Sequence, residues 1–173
     1  VQIWGDLPLV TTPITAEESY AVLRAPVAEV YAQIVKDLQF AAGKLPLAAT
    51  AGVGKVSKGA AQSLLGKVYL TMGDKTNAAT TLKEVVSSAQ YQLLPAYASL
   101  WDPKNKNTKE SIFEIQYLGG SSTAPFSDYY LGFFPNSNAL GFYGSGMNQV
   151  VDDVWTEFEA ADGRRGASID TGF

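Results

Sequence analysis

Apolar residues fall on helical spacing in three stretches in the first half of the chain and in one near its end. Val27, Val30, Tyr31, Ile34, Leu38 and Ala41 follow an i, i+3, i+4 rhythm, which predicts a helix over 26–44 with one buried stripe. Pro26 suits its first turn, where a missing N–H is not felt, and Gly43 and Pro46 mark its end. Ser57 is placed to cap a second helix over 58–72, with Ala60, Ala61, Leu64, Leu65, Val68 and Tyr69 on a broad face. A third, over 75–89, turns Ala78, Ala79, Leu82, Val85 and Val86 back toward it. The Gly73-Asp74 link between them is short, so the two helices should be antiparallel neighbours. A last helix is predicted over 148–161 on Val151, Val154, Trp155 and Phe158, closed by Gly163 as its C-cap, with Arg164 and Arg165 complementing its C-terminus.

Within the second and third helices runs Leu65-Gly66-x-x-Tyr69-x-x-x-Gly73-x-x-x-x-Ala78. This is the spacing of a tetratricopeptide-type hairpin. Gly66 admits a close partner helix, Gly73 takes the left-handed conformation that ends the first helix, and Ala78 is the small contact where the second crosses back.

The rest is irregular. Residues 1–25 hold Gly5, Pro8 and Pro13, which argue for an extended segment over the core, with Trp4 as a packing residue. Residues 47–56 are a loop. Asp37 is read as a surface or inter-helix hydrogen-bonding group. Pro95 and Pro103 bracket a short turn holding Tyr97, Leu100 and Trp101. Lys104–Lys109 is a solvated loop, and Ser111–Tyr117 alternates like a short strand or extended piece. From 118 to 147 no period survives, yet Phe126, Tyr129, Tyr130, Phe133, Phe134, Phe142 and Tyr143 crowd into one stretch. A loop of that length inside a domain is more often functional than idle. The fold class expected is mainly α: tetratricopeptide-like hairpins, long irregular loops and a short extended or β segment, in a single domain over 1–173.

Composition narrows the chemistry. At 46% hydrophobic and 17% charged, the 173 residues are those of a globular chain. The net charge is -4. Lys and Arg are absent from Glu110 to Gly163, where Glu110, Glu114, Asp128, Asp152, Asp153, Glu157, Glu159 and Asp162 all lie. A nucleic-acid surface needs the reverse balance, so no nucleic-acid partner is expected. There is no Cys and no His, so disulfides, Cys/His zinc sites and His-based catalytic triads are excluded within this stretch. No metal or other cofactor is expected. No apolar run approaches the roughly 20 residues of a membrane span. The start at Val1 and the end at Phe173 lead us to expect a piece of a longer protein.

Several motifs together resemble one family. Trp4-Gly5-Asp6-Leu7-Pro8-Leu9 is similar to its opening x-G-D-x-P-L. Arg24-x-Pro26-x-x-x-Val30-Tyr31-x-x-Ile34-x-x-Asp37-Leu38 resembles the helix that follows. Lys55-Val56-Ser57-Lys58-x-Ala60-Ala61-x-x-Leu64-Leu65 resembles the start of its tetratricopeptide-like pair. Glu110-Ser111-Ile112-Phe113-Glu114-Ile115 and Asp162-x-Arg164 resemble its later pieces. The family is SusD/RagB, the surface glycan-binding lipoproteins of polysaccharide-utilisation systems, and the resemblance runs from about residue 3 to 165. It implies a non-catalytic protein on the extracellular face of the outer membrane, lipid-anchored in its full length, that captures oligosaccharide for a SusC-type TonB-dependent transporter. The lipid-bearing cysteine, the early helices and the C-terminal part have no counterpart here, so part of the sugar site is expected to lie elsewhere. Within that reading the hairpin is scaffold, its concave face meeting the transporter rather than the sugar.

Sugar rings have apolar C–H faces and equatorial hydroxyls, so a binding surface needs wettable aromatic platforms beside amides and carboxylates. Tyr129, Tyr130, Phe134 and Tyr143, with Asp128, Asn136 and Asn138, supply both kinds and are the candidate ligand-binding residues. The competing role for these aromatics is anchoring the loop to the helices. Trp101 and Trp155 are assigned to the core. Two other functions were weighed. A tetratricopeptide interaction scaffold would need tandem repeats and a basic clamp, whereas one hairpin matches and the clamp is missing. A glycoside hydrolase would need a carboxylate pair roughly 5 Å apart for retaining chemistry. Asp152, Asp153, Glu157, Glu159 and Asp162 supply carboxylates, but Asp153 and Glu157 at i, i+4 are those of a solvated helix face. No catalytic residue is therefore assigned.

Overall fold

The computed structural model describes residues 1–102, 104–117 and 151–169. These fall into two compact units, one of Val1–Gln92 with Lys109–Phe113, the other of the described residues within Leu93–Thr108 and Glu114–Phe173. The protein is mainly helical. No described helix is long and apolar enough to cross a membrane.

The first unit opens with strand β1 (Leu7–Pro8), helix α1 (Ala16–Ser19), strand β2 (Arg24–Ala25) and helix α2 (Val27–Lys44). β1 and β2 pair antiparallel, Leu7 opposite Ala25 and Pro8 opposite Arg24. The pairing brings Asp6 to the start of α2, where Pro26 has no side-chain cap to offer. The Val27 N–H donates to Asp6 Oδ1 at 3.0 Å, so a carboxylate from 21 residues upstream satisfies a helix-end donor. This is the physical content of the Gly5-Asp6 pair in the opening motif. Gly5 supplies the turn at φ +66. α1 was not expected. Thr15 and Glu18 close a capping box, Glu18 N–H donating to Thr15 Oγ1 and Thr15 N–H to Glu18 Oε2. Those bonds from Thr15 hold the Glu18 carboxyl below its usual range. Trp4, expected to pack, is 71% exposed.

Next come α3 (Ala48–Ala51), α4 (Lys58–Thr71) and α5 (Lys75–Ser87). α3 is a helical turn inside what the sequence marks as loop. α4 packs on both α2 and α5, and this corrects its expected face. The buried positions are Gly59, Ala61, Gln62, Leu65, Gly66 and Tyr69, while Leu64 is 51% exposed. Glycines of α4 lie where Leu82 and Tyr91 come closest to it. Leu65, Tyr69 and Ala78 form the core, with Val35 and Leu38 of α2 against it. On the other side, a Cβ at Gly66 would sit 2.5 Å from Leu82 Cγ, and one at Gly59 would collide with the Tyr91 hydroxyl. Tyr91 is held there by a 2.9 Å hydrogen bond shared with Ser57 Oγ, and Ser57 also caps α4 through the Ala60 N–H.

The α4–α5 turn follows the expected chemistry. Gly73 N–H donates to Leu70 O and Asp74 N–H to Tyr69 O, a Schellman closure with Gly73 at φ +82. Asp74 then caps α5, accepting from the Asn77 N–H at 3.0 Å. Asn77 holds its carboxyl below the usual range.

The second unit contains a 3₁₀ helix (Tyr97–Trp101) and helices α6 (Asp152–Glu157) and α7 (Arg164–Ser168). Its 104–108 and 114–117 pieces are cross-linked by side chains. Asn107, at φ +55, donates its N–H to the Glu114 carboxylate and exchanges two amide bonds with Gln116. Residues 114–117 form no strand, and β1–β2 is the only ladder among the described residues. The last helix is shorter than expected: α6 ends at Glu157, and Phe158 is already extended. Residues 148–150 of the expected span lie outside the described residues. Gly163 precedes α7 at φ -61 rather than capping a helix in the left-handed region. The cause is Asp162, whose carboxylate accepts from the Arg164 N–H at 2.9 Å and from its guanidinium, turning the chain into a new helix.

Candidate functional site

Tyr129, Tyr130, Phe134, Asn136, Asn138, Tyr143 and Asp128 all lie outside the described residues. Of the carboxylates weighed for hydrolysis, Asp153, Glu157 and Glu159 are exposed. Asp162 is engaged by Arg164, whose side-chain and backbone N–H groups pull its carboxyl from 3.8 to about 2. A depressed carboxyl contributes its stabilisation above the unfolded-state value, and the contribution is lost as pH falls toward 2. Arg164 is exposed and Asp162 half-buried, so solvent still screens the pair and the effect on stability is small.

Two surfaces built from described residues have ligand-like chemistry. The first is a groove of about 350 Å³ in the first unit, lined by Leu47, Lys58, Gln62, Glu84, Ser87 and Ser88. Gln62 Nε2 donates to Glu84 Oε2 at 2.6 Å across it. This bond ties α4 to α5 and makes the groove part of the scaffold.

The second is in the other unit. Tyr97 and Trp101 occupy the ends of the 3₁₀ helix, their rings 5.9 Å apart at 71°, edge to face. Trp101 is 60% exposed, a correction to its expected place in the core. Five residues of 3₁₀ helix cannot surround an indole, and the sequence signal was there: two aromatics four apart in a segment bracketed by prolines. α7 packs against this helix, and Tyr97 Oη shares a 3.2 Å hydrogen bond with Ser168 Oγ. Asp162 holds the proton on the Arg164 guanidinium more tightly than usual, through their hydrogen bonds. Trp155 is half-buried and carries Arg165 4.5 Å from its ring centroid, a cation–π contact.

Residues 1–70, from β1 through nearly all of α4, match a family model described as "Starch-binding associating with outer membrane". The chain is also 31% identical over 180 residues to SusD-like protein P2 of Formosa agariphila, an alignment that takes in 99% of this chain and 35% of that protein. This chain belongs to the SusD-like family. It spans about a third of the length of that relative. Among solved structures, a SusD-like carbohydrate binding protein from Bacteroides fragilis is similar at 27% identity and TM-score 0.63, over 66% of this chain and 23% of that one. Surface glycan-binding protein A from Bacteroides uniformis shares the fold over 94% of this chain and 37% of its own, at 20% identity and TM-score 0.71. In this SusD-like chain, the family model takes in the Asp6-capped α2 and nearly all of α4.

Proposed function

We propose that the full-length protein is a non-catalytic oligosaccharide-binding protein on the outer face of the outer membrane, lipid-anchored, which delivers its ligand to a SusC-type TonB-dependent transporter. The observation that carries this reading is the match to a SusD-like relative along nearly the whole chain. The matched family's description, starch-binding and associating with the outer membrane, supports it further. The ligand platform is the aromatic stretch 126–143, with Tyr129, Tyr130, Phe134 and Tyr143 stacking on sugar faces and Asp128, Asn136 and Asn138 bonding hydroxyls. The α4–α5 hairpin is the surface that meets the transporter.

Titration of Tyr129→Ala and Tyr143→Ala in the full-length protein against a glycan panel tests the platform. Each truncation is expected to weaken binding by about tenfold, the effect of about 1.4 kcal/mol. Unchanged affinity in both would remove the assignment to this stretch.

A further inference from the structure

We propose that the Tyr97–Trp101 edge is a second carbohydrate-contact surface, separate from residues 126–143, where the indole of Trp101 stacks on one pyranose ring of the oligosaccharide. This rests on the oligosaccharide-binding reading above. Trp101 leaves more than half of its surface in water, forgoing the burial energy of a large aromatic side chain. Yet its neighbourhood is held firmly. Tyr97 meets it edge to face, and Ser168 holds the Tyr97 hydroxyl. The turn just beyond is tied by Asn105 Nδ2 donating to Ser99 O, and by Lys104 N–H donating to Asp102 Oδ1. An exposed ring on a braced turn loses little entropy when a ligand stacks on it.

The surrounding polar groups select the kind of ligand. A sugar presents hydroxyls that both donate and accept beside an apolar C–H face. At this edge the Tyr97 and Ser168 hydroxyls can do both, and α7, which packs on the 3₁₀ helix, carries the Arg164 guanidinium with its Asp162 partner. Asp162 and Arg164 neutralise one another, so this pair offers a polyanion no surplus cation. A flat ring bordered by balanced donors and acceptors fits a neutral glycan.

The test uses the intact full-length protein and N-bromosuccinimide oxidation, with modification at each tryptophan read by peptide mass spectrometry. Maltoheptaose, xylohexaose, mannohexaose and laminarihexaose serve as probes. In the free protein Trp101 should oxidise readily. With the bound probe its rate should fall several-fold, while Trp4, exposed in the other unit, keeps its rate. In titrations of the same probe, Trp101→Ala should weaken binding by about tenfold and Trp101→Phe by less, because the smaller ring still stacks. If Trp101 resists oxidation without a probe, the rest of the chain covers it and the proposal is overturned. Binding that leaves Trp101 unprotected and is indifferent to Trp101→Ala overturns this surface but not the oligosaccharide-binding function. Absence of binding to all four probes overturns both.

Discussion

Replacing Tyr69 with alanine is expected to lower the unfolding free energy of the first unit by about 3–5 kcal/mol, the range for truncating a buried aromatic ring. Tyr69 is 9% exposed and packs with Leu65 and Ala78, with Val35 and Leu38 of α2 against them. Its hydroxyl is a smaller part of the effect. Gln39 Nε2 donates to it at 3.0 Å, but Gln39 is itself exposed and its amide can turn to water. Tyr69→Phe should therefore cost only about 0.5–1.5 kcal/mol. Urea unfolding followed by helical circular dichroism separates the two variants. Equal losses for Ala and Phe would show that the hydroxyl, not the ring, holds α2 to α4.

The second large effect is expected at Gly66. A Cβ there would stand 2.5 Å from both Leu82 Cγ and Cδ2, closer than packed carbon atoms sit. Leu82 Cγ is one bond from its own Cβ, so it cannot swing aside as a long flexible side chain would. Either Leu82 changes rotamer or α5 moves away from α4, loosening Ala78, which is 0% exposed. Gly66→Val should cost about 1–3 kcal/mol as an overpacked core position. Gly66→Ala should cost less, because alanine regains about 1 kcal/mol of helix propensity over glycine. The contact itself is isolated by a double-mutant cycle. Leu82→Ala should absorb part of the Gly66→Val penalty, with a coupling of about 0.5–3 kcal/mol. Strict additivity would mean that the two side chains do not meet.

These two positions also mark where the fold was legible in the sequence. Tyr69, Gly73 and Ala78 were read correctly because each obeys a local rule: helical period, a left-handed cap, a small crossing contact. α2, α4 and α5 were found within a residue or two of their ends for the same reason. Gly66 was read as a close approach from the hairpin spacing, but the burial of Gly59 and Gln62 was not, since that side of α4 is built from glycines and an amide. Its packing depends on Leu82 and Tyr91 from other elements. The β1–β2 pairing and the Asp6 cap on α2 join residues about 20 apart, beyond any local period. Near the end of the chain, the stripe of Val151, Val154, Trp155 and Phe158 overstated a helix that stops at Glu157, because the hydrogen bonds of Asp162 with Arg164 start a new one.

The same contrast holds for function. Family membership was visible in the order of short motifs, of which the Gly5-Asp6 pair and the Ser57-capped α4 now have a structural reason. The proposed platform residues of 126–143 rest on aromatic density and the polar groups interleaved with it, and lie outside the described residues. Trp101 was placed in the core on its short helical setting. The geometry instead leaves it as an exposed ring beside Tyr97, because one short turn cannot bury it.

Isothermal titration of the intact full-length protein against maltoheptaose and a panel of other plant and algal oligosaccharides tests the central claim most directly, with chromatography of each mixture afterwards. The account predicts saturable binding to at least one oligosaccharide, which is recovered uncleaved. Absence of binding across the panel, or release of shorter products, would contradict it.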